Sequence, residues 1–110
     1  MAKYYHKYEI PPSVVNIVKT ICADYERRDR MIRFSTVSGE VLDRYIALNA
    51  VVDGALETVE CNIRCELLRD IVLSRGYHFS AVSPFISKNT YYQRKRKVIY
   101  EIARGLLLIF

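Results

Sequence analysis

Apolar residues recur at steps of three and four along most of this chain, which is the spacing of one face of an α-helix. The first such stretch follows Pro11 and Pro12, and it is expected to continue into "ERRDRMIRF", residues 26–34. The alternating acidic and basic residues there predict a solvated face with internal ion pairs. A break is expected at "STVSGE", residues 35–40, because serine and glycine favour turns.

Two more apolar faces at helical spacing follow, at residues 41–56 and 59–73. The second should end at Ser74-Arg75-Gly76, where glycine is the expected helix stop. No stretch alternates with the period of two that marks a β-strand. The expected fold class is therefore all-α, a single helical domain over residues 1–110 with four to five helices.

A last helix is expected after Ser87, whose hydroxyl can cap the free amides of the first helical turn. Pro84 excludes a regular helix just before it. The spacing divides this helix into two faces. The inward face holds Tyr91, Val98, Ile99, Ile102, Ala103 and Leu106. The outward face holds Lys88, Asn89, Tyr92, Gln93, Arg96 and Tyr100.

The positive charge of the chain is concentrated in this last helix. The 110 residues include 17 Lys and Arg against 12 Asp and Glu, which gives a formal charge of +5. Residues 88–97 alone hold five basic residues and no acid, as much as the excess of the whole chain. The five are Lys88, Arg94, Lys95, Arg96 and Lys97. This concentration favours a polyanionic partner.

Several of these side chains are of the types that contact DNA. Asn and Gln can bond bidentately to adenine and Arg to guanine, so Asn89, Gln93 and Arg96 are candidate base readers in the major groove. The other candidates are Lys88, Arg94, Lys95 and Lys97 for phosphates, and Tyr92 for a phosphate, a sugar or a thymine methyl group. The alternative is a basic helix face that is only solvated, and composition alone does not decide between the two.

Residues 86–106, "ISKNTYYQRKRKVIYEIARGL", resemble the C-terminal helix of phage-encoded transcriptional regulators of the RinA and ArpU type. In those families this is the recognition helix of a helix-turn-helix similar to the promoter-binding domain of sigma factors. The matching positions are Ile86 and Ser87 at the turn and cap, Tyr91 as the first inward residue, Tyr92 to Lys97 as the DNA-facing stretch, and Ile102, Ala103 and Leu106 as the packing stripe.

The resemblance implies a helix-turn-helix at residues 77–104, with one departure from the family pattern. Pro84 stands near the leucine that precedes the turn in those families, so the supporting helix is expected to be shortened or distorted. The expected function is that of a sequence-specific regulator that binds double-stranded DNA and controls phage or prophage genes. Contact with RNA polymerase is a further implication. The alternative is a small phage or mobile-element protein that binds and inhibits or modulates a host protein.

The N-terminus holds a basic aromatic cluster that fits either a DNA-contacting arm or a frayed end packed on the core. Its members are Lys3, Tyr4, Tyr5, Lys7 and Tyr8. At the other end, Leu106 to Phe110, "LLLIF", is too short to span a bilayer. This segment is expected to be the last turn of the core or a patch for homo-oligomerisation.

No motif of an enzyme, a cofactor site or a metal site is recognisable in the sequence. A glycine-rich phosphate loop, a nucleophile elbow and HExxH are all absent, so neither enzymatic activity nor a cofactor is expected. Cys61 and Cys65 lack the further Cys or His pair that a tetrahedral zinc site needs, so they are expected to be small buried residues. Free cysteines and a polar N-terminus predict a cytoplasmic location.

Overall fold

Five α-helices, two short 3-10 helices and the turns between them make up residues 9–109, the part of the chain that the computed structural model describes. The α-helices are α1 (Pro12–Ala23), α2 (Tyr25–Arg33), α3 (Gly39–Leu56), α4 (Arg64–Leu73) and α5 (Lys88–Gly105). The 3-10 helices are Cys61–Ile63 and Tyr77–Phe79. Residues 9–109 contain no strand, so the prediction of an all-α domain is confirmed.

A single residue, Asp24, separates α1 from α2, so the expectation of one helix running through residues 26–34 is wrong. The Asp24 carboxylate accepts two hydrogen bonds of 2.6 Å from the guanidinium of Arg27. Aspartate favours helix ends over helix interiors because its short side chain forms local bonds of this kind. The predicted internal ion pairs are present, since Asp29 also pairs with Arg33.

Arg28 is buried rather than solvated, because its guanidinium joins three helices. Only 2% of the residue is exposed. It donates at 2.7 Å to the Ile21 carbonyl in α1 and at 2.7 Å to Oδ1 of Asn49 in α3, and Asn49 donates at 3.2 Å to the Tyr25 carbonyl. Burial lowers the pKa of Arg28, and the Asp24 carboxylate at 3.6 Å opposes that shift. The predicted solvated face is therefore wrong at this position.

The turn between α2 and α3 confirms the predicted break. Residues 34–38 are non-helical, and Ser35 and Gly39 lie in the left-handed region with φ of 53° and 62°. Glycine adopts this region freely, whereas a residue with a Cβ loses about 1–2 kcal/mol there. Ser35 therefore carries backbone strain at the tip of the α2–α3 hairpin, next to the exposed ring of Phe34.

The helix α4 ends at Leu73, just before the predicted Ser74-Arg75-Gly76 stop, but its cap residue is Ser74 and not the expected glycine. Ser74 is left-handed with φ 54°, and the Arg75 amide donates at 2.8 Å to the Asp70 carbonyl, which closes the last turn. Gly76 serves a different purpose, because a Cβ built there would lie 3.3 Å from the Tyr92 hydroxyl. Glycine at this position thus allows the chain to pass close to α5.

The core lies between α1, α3, α4 and α5. Its fully buried apolar members come from all four helices, and burial of each aliphatic side chain contributes about 1.5–3 kcal/mol. They include Val18, Val52, Leu67, Tyr91, Val98 and Ile102. The predicted inward face of α5 is confirmed, with Leu106 half-buried at its end.

The helices α3 and α5 approach each other closely at Gly105. A Cβ built at Gly105 would lie 2.8 Å from Cγ1 of Val51, which is inside van der Waals contact. The stiff, β-branched Val51 side chain has little freedom to move aside. The absence of a side chain at Gly105 therefore sets the spacing at this end of the α3–α5 pair.

The remaining expectations concern the two ends of the chain. The basic aromatic cluster at residues 3–8 and Phe110 lie outside the described residues. Leu106, Leu108 and Ile109 pack against the core, whereas Leu107 is 89% exposed. Most of the described part of Leu106 to Phe110 thus forms the last turn of the core, and homo-oligomerisation through it stays a prediction. Within residues 9–109, no helix has the length and apolar character needed to cross a membrane.

Candidate nucleic-acid interface

The helix α5 starts where the sequence predicts, because Ser87 caps it. The Ser87 hydroxyl accepts from the Thr90 amide at 3.2 Å and donates to the Thr90 hydroxyl at 2.9 Å. Capping by serine satisfies one of the free amides of the first turn and fixes the direction of the entering chain. Lys88 and Asn89, the first two residues of the helix, are both exposed.

Tyr91 anchors the first turn of α5 in the core. Its side chain is fully buried, and its hydroxyl donates to Oδ2 of Asp70 at 2.8 Å, with the Arg75 carbonyl at 3.2 Å. Burial, together with the bond to Asp70, raises the pKa of Tyr91 well above its ordinary value. The Asp70 carboxylate is itself fully buried, and Nε of Arg75 lies 3.9 Å from its Oδ1.

Tyr92 packs against the protein, so the prediction that it faces outward is wrong. Its hydroxyl accepts from the Tyr77 amide at 3.1 Å, and its ring meets that of Tyr91 edge-on with centroids 5.0 Å apart. The close passage of Gly76 makes room for this arrangement. Tyr100, the other outward tyrosine of the prediction, is also half-buried against the core. The helical spacing predicted the wrong side for both tyrosines, because a tyrosine ring can cover apolar surface while its hydroxyl reaches a polar partner.

Lys95 also points back into the fold. Its ammonium donates to the Arg75 carbonyl at 2.6 Å and lies 5.7 Å from the centroid of the Tyr91 ring. Burial lowers the pKa of Lys95, and the Asp70 carboxylate partly opposes this shift. The carbonyl and the ring face hold the cation between α5 and the segment after α4. In this conformation the Lys95 ammonium is directed away from a ligand on the outer side of α5.

Arg94 forms an ion pair across the fold with Glu60. Its Nε donates to Oε1 of Glu60 at 2.8 Å and its Nη2 to Oε2 at 3.3 Å. The bond from Arg94 lowers the pKa of the Glu60 carboxyl, with a smaller contribution from Lys97. A guanidinium held on both carboxylate oxygens is well oriented. Arg94 would have to leave this pair to reach a phosphate.

Arg96 lines a cleft between α5 and α1. The cleft has a volume of about 190 Å³ and is lined by Val15, Tyr92, Lys95, Arg96 and Ile99. Arg96 is half-buried there. Of the eight predicted DNA-contacting residues, three (Tyr92, Lys95 and Arg96) therefore line this cleft.

Four of the predicted residues remain on the outer side of α5. Asn89, Gln93 and Lys97 follow one another at four-residue steps and so share a face, with Lys88 in the first turn. Lys88 and Asn89 are exposed, and Gln93 and Lys97 are half-exposed. Within residues 9–109 none of the four side chains forms a hydrogen bond or an ion pair, although Lys97 acts at longer range on Glu60. Two amides and two cations are thus presented together.

The segment that precedes α5 differs from the expected supporting helix. Residues 77–87 hold only the 3-10 helix Tyr77–Phe79 and turns, and the nearest α-helix upstream is α4. Pro84 lies exposed in these turns, where its ring breaks no helical hydrogen bond. The last helix of the expected motif is present as α5. Its role as a recognition helix and the helix-turn-helix at residues 77–104 stay predictions.

Two features of this region were missed from the sequence. Phe79 and Phe85 are 80% and 77% exposed, although large apolar residues are usually buried. The proline- and serine-containing stretch around them was the available signal, since it excludes a helix that could bury both rings.

The cysteines and other potential metal ligands are dispersed. Cys61 and Cys65 are exposed, so the expectation that they are buried is wrong, and only Cys22 lies in the core. Burial raises the pKa of the Cys22 thiol to about 12, which keeps it protonated at neutral pH. Among residues 9–109, no three His, Cys, Asp or Glu side chains come together in a way that could hold a metal ion.

Comparison of the chain with protein-family models, with curated proteins and with solved structures gives no match.

Proposed function

We propose that this protein is a sequence-specific regulator that binds double-stranded DNA through the outer side of α5 and controls phage or prophage genes. The observation that carries the proposal is the set of four side chains presented there: Lys88, Asn89, Gln93 and Lys97. An α-helix fits the major groove, where amides read base edges and cations neutralise phosphates. The buried residues Tyr91, Val98 and Ile102 hold this helix firmly from behind.

The contacts inside the fold support different proposed roles for the residues of the basic cluster. Asn89 and Gln93 are the proposed base readers, and Lys88 and Lys97 the proposed phosphate contacts. Tyr92 and Lys95 are proposed to hold α5 against residues 75–77, because their polar atoms bond to the backbone there. Arg94 is proposed to contact a phosphate only when its ion pair with Glu60 is broken. Arg96 keeps its proposed role at guanine, reached from the edge of the α1–α5 cleft.

The resemblance of residues 86–106 to RinA- and ArpU-type regulators supports the same function. It adds contact with RNA polymerase to the proposal, and the three cysteines add a reducing, cytoplasmic location. The short turns between α4 and α5 give α5 a different support from that of a regular helix-turn-helix. The angle at which α5 enters the groove is therefore proposed to depend on α4 and the core, since docking geometry follows from the elements that hold the recognition helix.

Selection of bound duplexes from a random library tests the proposal. The selected site should bind more tightly than unrelated duplex at physiological salt, by about a thousandfold or more. Gln93→Ala should relax the preference at one position of the site, at a cost of about 1–3 kcal/mol. Lys97→Ala should weaken all duplexes alike and reduce the salt dependence by about one phosphate contact. Arg30→Ala, which removes an exposed cation from α2, is the matched control and should change neither.

The outcomes separate the regulator from its alternative. Equal, wholly salt-dependent affinity for every duplex would refute sequence-specific regulation. Absence of binding to any duplex would favour the second candidate, a small phage or mobile-element protein that modulates a host protein. Phe34 on the α2–α3 hairpin, which is 70% exposed, is the observation that favours this second candidate, because exposed aromatic side chains often anchor protein interfaces.

A further inference from the structure

The turns before α5 present two phenylalanine rings to solvent. Phe79 is 80% and Phe85 is 77% exposed, and Ala81 and Pro84 between them are exposed as well. The other side of the same turns is anchored, because Val82 is buried. The segment 79–85 thus has an inner side in the core and an apolar outer side. An exposed apolar patch of this kind commonly marks a binding site.

Hydrogen bonds fix the backbone that carries the two rings. The Tyr77 hydroxyl lies 2.8 Å from the Ser83 carbonyl and 2.7 Å from the Ile86 carbonyl, and its one proton is shared between them. The Phe79 amide donates to the Gly76 carbonyl at 3.1 Å, and the Phe85 amide to the Val82 carbonyl at 2.9 Å. The backbone that carries the rings is therefore ordered before any partner binds, which lowers the entropy lost on association.

The part of the chain that flanks the two rings carries positive side chains and no negative ones. Residues 71–100 contain six Lys and Arg and no Asp or Glu, and the flanking Asp70 is fully buried. Arg75 faces Asp70 and Arg94 pairs with Glu60, so these two cations are offset by the two acids, and the other four leave the segment with a net positive charge. Lys88 follows Phe85 by three residues and is exposed. A partner that is anionic and offers flat apolar faces would complement this surface.

Nucleic acid with unstacked bases has both properties. Aromatic side chains stack on the faces of such bases, while nearby cations contact the phosphates. Anionic lipid would satisfy the charge, but it has no base edges for the exposed amide of Asn89, which lies four residues after Phe85. Two exposed rings that are followed closely along the chain by an exposed cation and an exposed amide thus fit a nucleic acid better than a lipid surface.

We propose that Phe79 and Phe85 stack on unpaired or partly unstacked bases next to the duplex that α5 contacts. This inference rests on the proposed DNA-binding function and adds a second contact to it. The protein would then prefer a duplex with a bulge or a melted step over the same duplex fully paired. Inserted apolar side chains open base steps at a cost that is smallest where the bases are already unpaired.

Binding of the full-length chain to matched duplexes tests the inference. One duplex is fully paired, and the other carries a short bulge that contains 2-aminopurine. The wild type should bind the bulged duplex about tenfold or more tightly than the paired one, and stacking should quench the 2-aminopurine fluorescence. The double variant Phe79→Ala/Phe85→Ala should lose about 5- to 100-fold on the bulged duplex, lose the quenching, and stay within about twofold on the paired duplex.

Phe34→Ala is the matched control, because it removes a ring of similar exposure from the α2–α3 hairpin. It should leave the preference for the bulge unchanged. Both variants alter exposed side chains, and their thermal unfolding should match that of the wild type, which verifies that the fold is intact.

Three results would overturn the inference: an unchanged bulge preference in the double variant, an equal loss on both duplexes, or no preference in the wild type. Loss of binding to anionic phosphatidylglycerol vesicles by the double variant, with DNA binding intact, would assign the rings to a membrane surface instead. The proposed regulator function fails on a different measurement. Equal affinity for all fully paired duplexes refutes that function alone, even when the bulge preference is present.

Discussion

Replacing Tyr91 by phenylalanine should destabilise the protein by about 1.5–3 kcal/mol, although it removes only one oxygen atom. The hydroxyl is the donor to Oδ2 of Asp70 at 2.8 Å, and both residues are fully buried. Oδ1 of Asp70 has no hydrogen bond, with Nε of Arg75 3.9 Å away. Without the tyrosine, the buried carboxylate would have no hydrogen bond and would keep only the electrostatic attraction of Arg75 and Lys95. The magnitude is that of a lost hydrogen bond to a charged group, because a neutral bond contributes about 1 kcal/mol.

Urea unfolding followed by circular dichroism measures this loss, with the denaturant slope checked for constancy. Two further variants make the measurement specific. Tyr45→Phe removes a hydroxyl that accepts from Arg27 at 3.2 Å on an exposed site, and it should change stability by less than about 0.5 kcal/mol. In an Asp70→Asn background, Tyr91→Phe should cost only about 0.5–1.5 kcal/mol, since the acceptor is then neutral. An equal cost in both backgrounds, or a cost below about 0.5 kcal/mol in the wild type, would refute the reasoning.

Three other substitutions have defined outcomes. The folded-state pKa of Glu60 lies below its unfolded value of 4.5. The contribution of this carboxylate to folding stability is therefore complete above pH 4.5, and it is lost as the pH falls through the lower folded-state pKa. Arg94→Gln should therefore flatten the acid side of the stability–pH curve, at a cost of about 0–1 kcal/mol at neutral pH because the pair is half-exposed. Gly105→Ala should destabilise by about 1–3 kcal/mol through the clash with Val51, and in a Val51→Ala background it should be neutral or stabilising; an unchanged cost there would exclude the clash. Ser35→Gly should stabilise by about 0.5–1 kcal/mol by relieving a left-handed serine, and a lower melting temperature would contradict this.

Local signals in the sequence predicted the fold class and most helices. The α5 helix is the clearest example, because Ser87 caps it and its apolar positions repeat at helical spacing up to Ala103. The break before α3 was equally visible at residues 35–40. Each of these features depends on residues that lie within one or two helical turns of each other. Such local interactions can be predicted from a single sequence.

Features that depend on distant partners were not predictable in this way. Arg28 is buried because Asn49, 21 residues away, accepts from it. Tyr92 turns inward because the Tyr77 amide, 15 residues away, needs an acceptor. Ser74 ends α4 although Gly76 stands nearby, because the glycine is needed where the chain passes α5. In each case a tertiary contact outweighs the local preference.

The candidate site was predicted in part for the same reason. The position of the basic cluster on α5 follows from the sequence, whereas its division between inner and outer sides does not. Lys95 illustrates the difference, since its flexible stem reaches the Arg75 carbonyl across 20 residues of chain. A helical wheel assigns a direction to the Cα–Cβ bond, and a long side chain can end on another side of the helix.

The burial of Arg28 also has a consequence for local opening of the protein. Its guanidinium bonds to α1 and α3 while its backbone belongs to α2, so none of these helices can detach without breaking a hydrogen bond of this buried cation. Separating a buried charge from its partners costs several kcal/mol. The amides of these three helices should therefore exchange their hydrogens in a single cooperative event, with similar opening free energies and similar dependence on denaturant. Asp24 interrupts the helix in sequence, yet the chain on both sides of it would unfold as one unit.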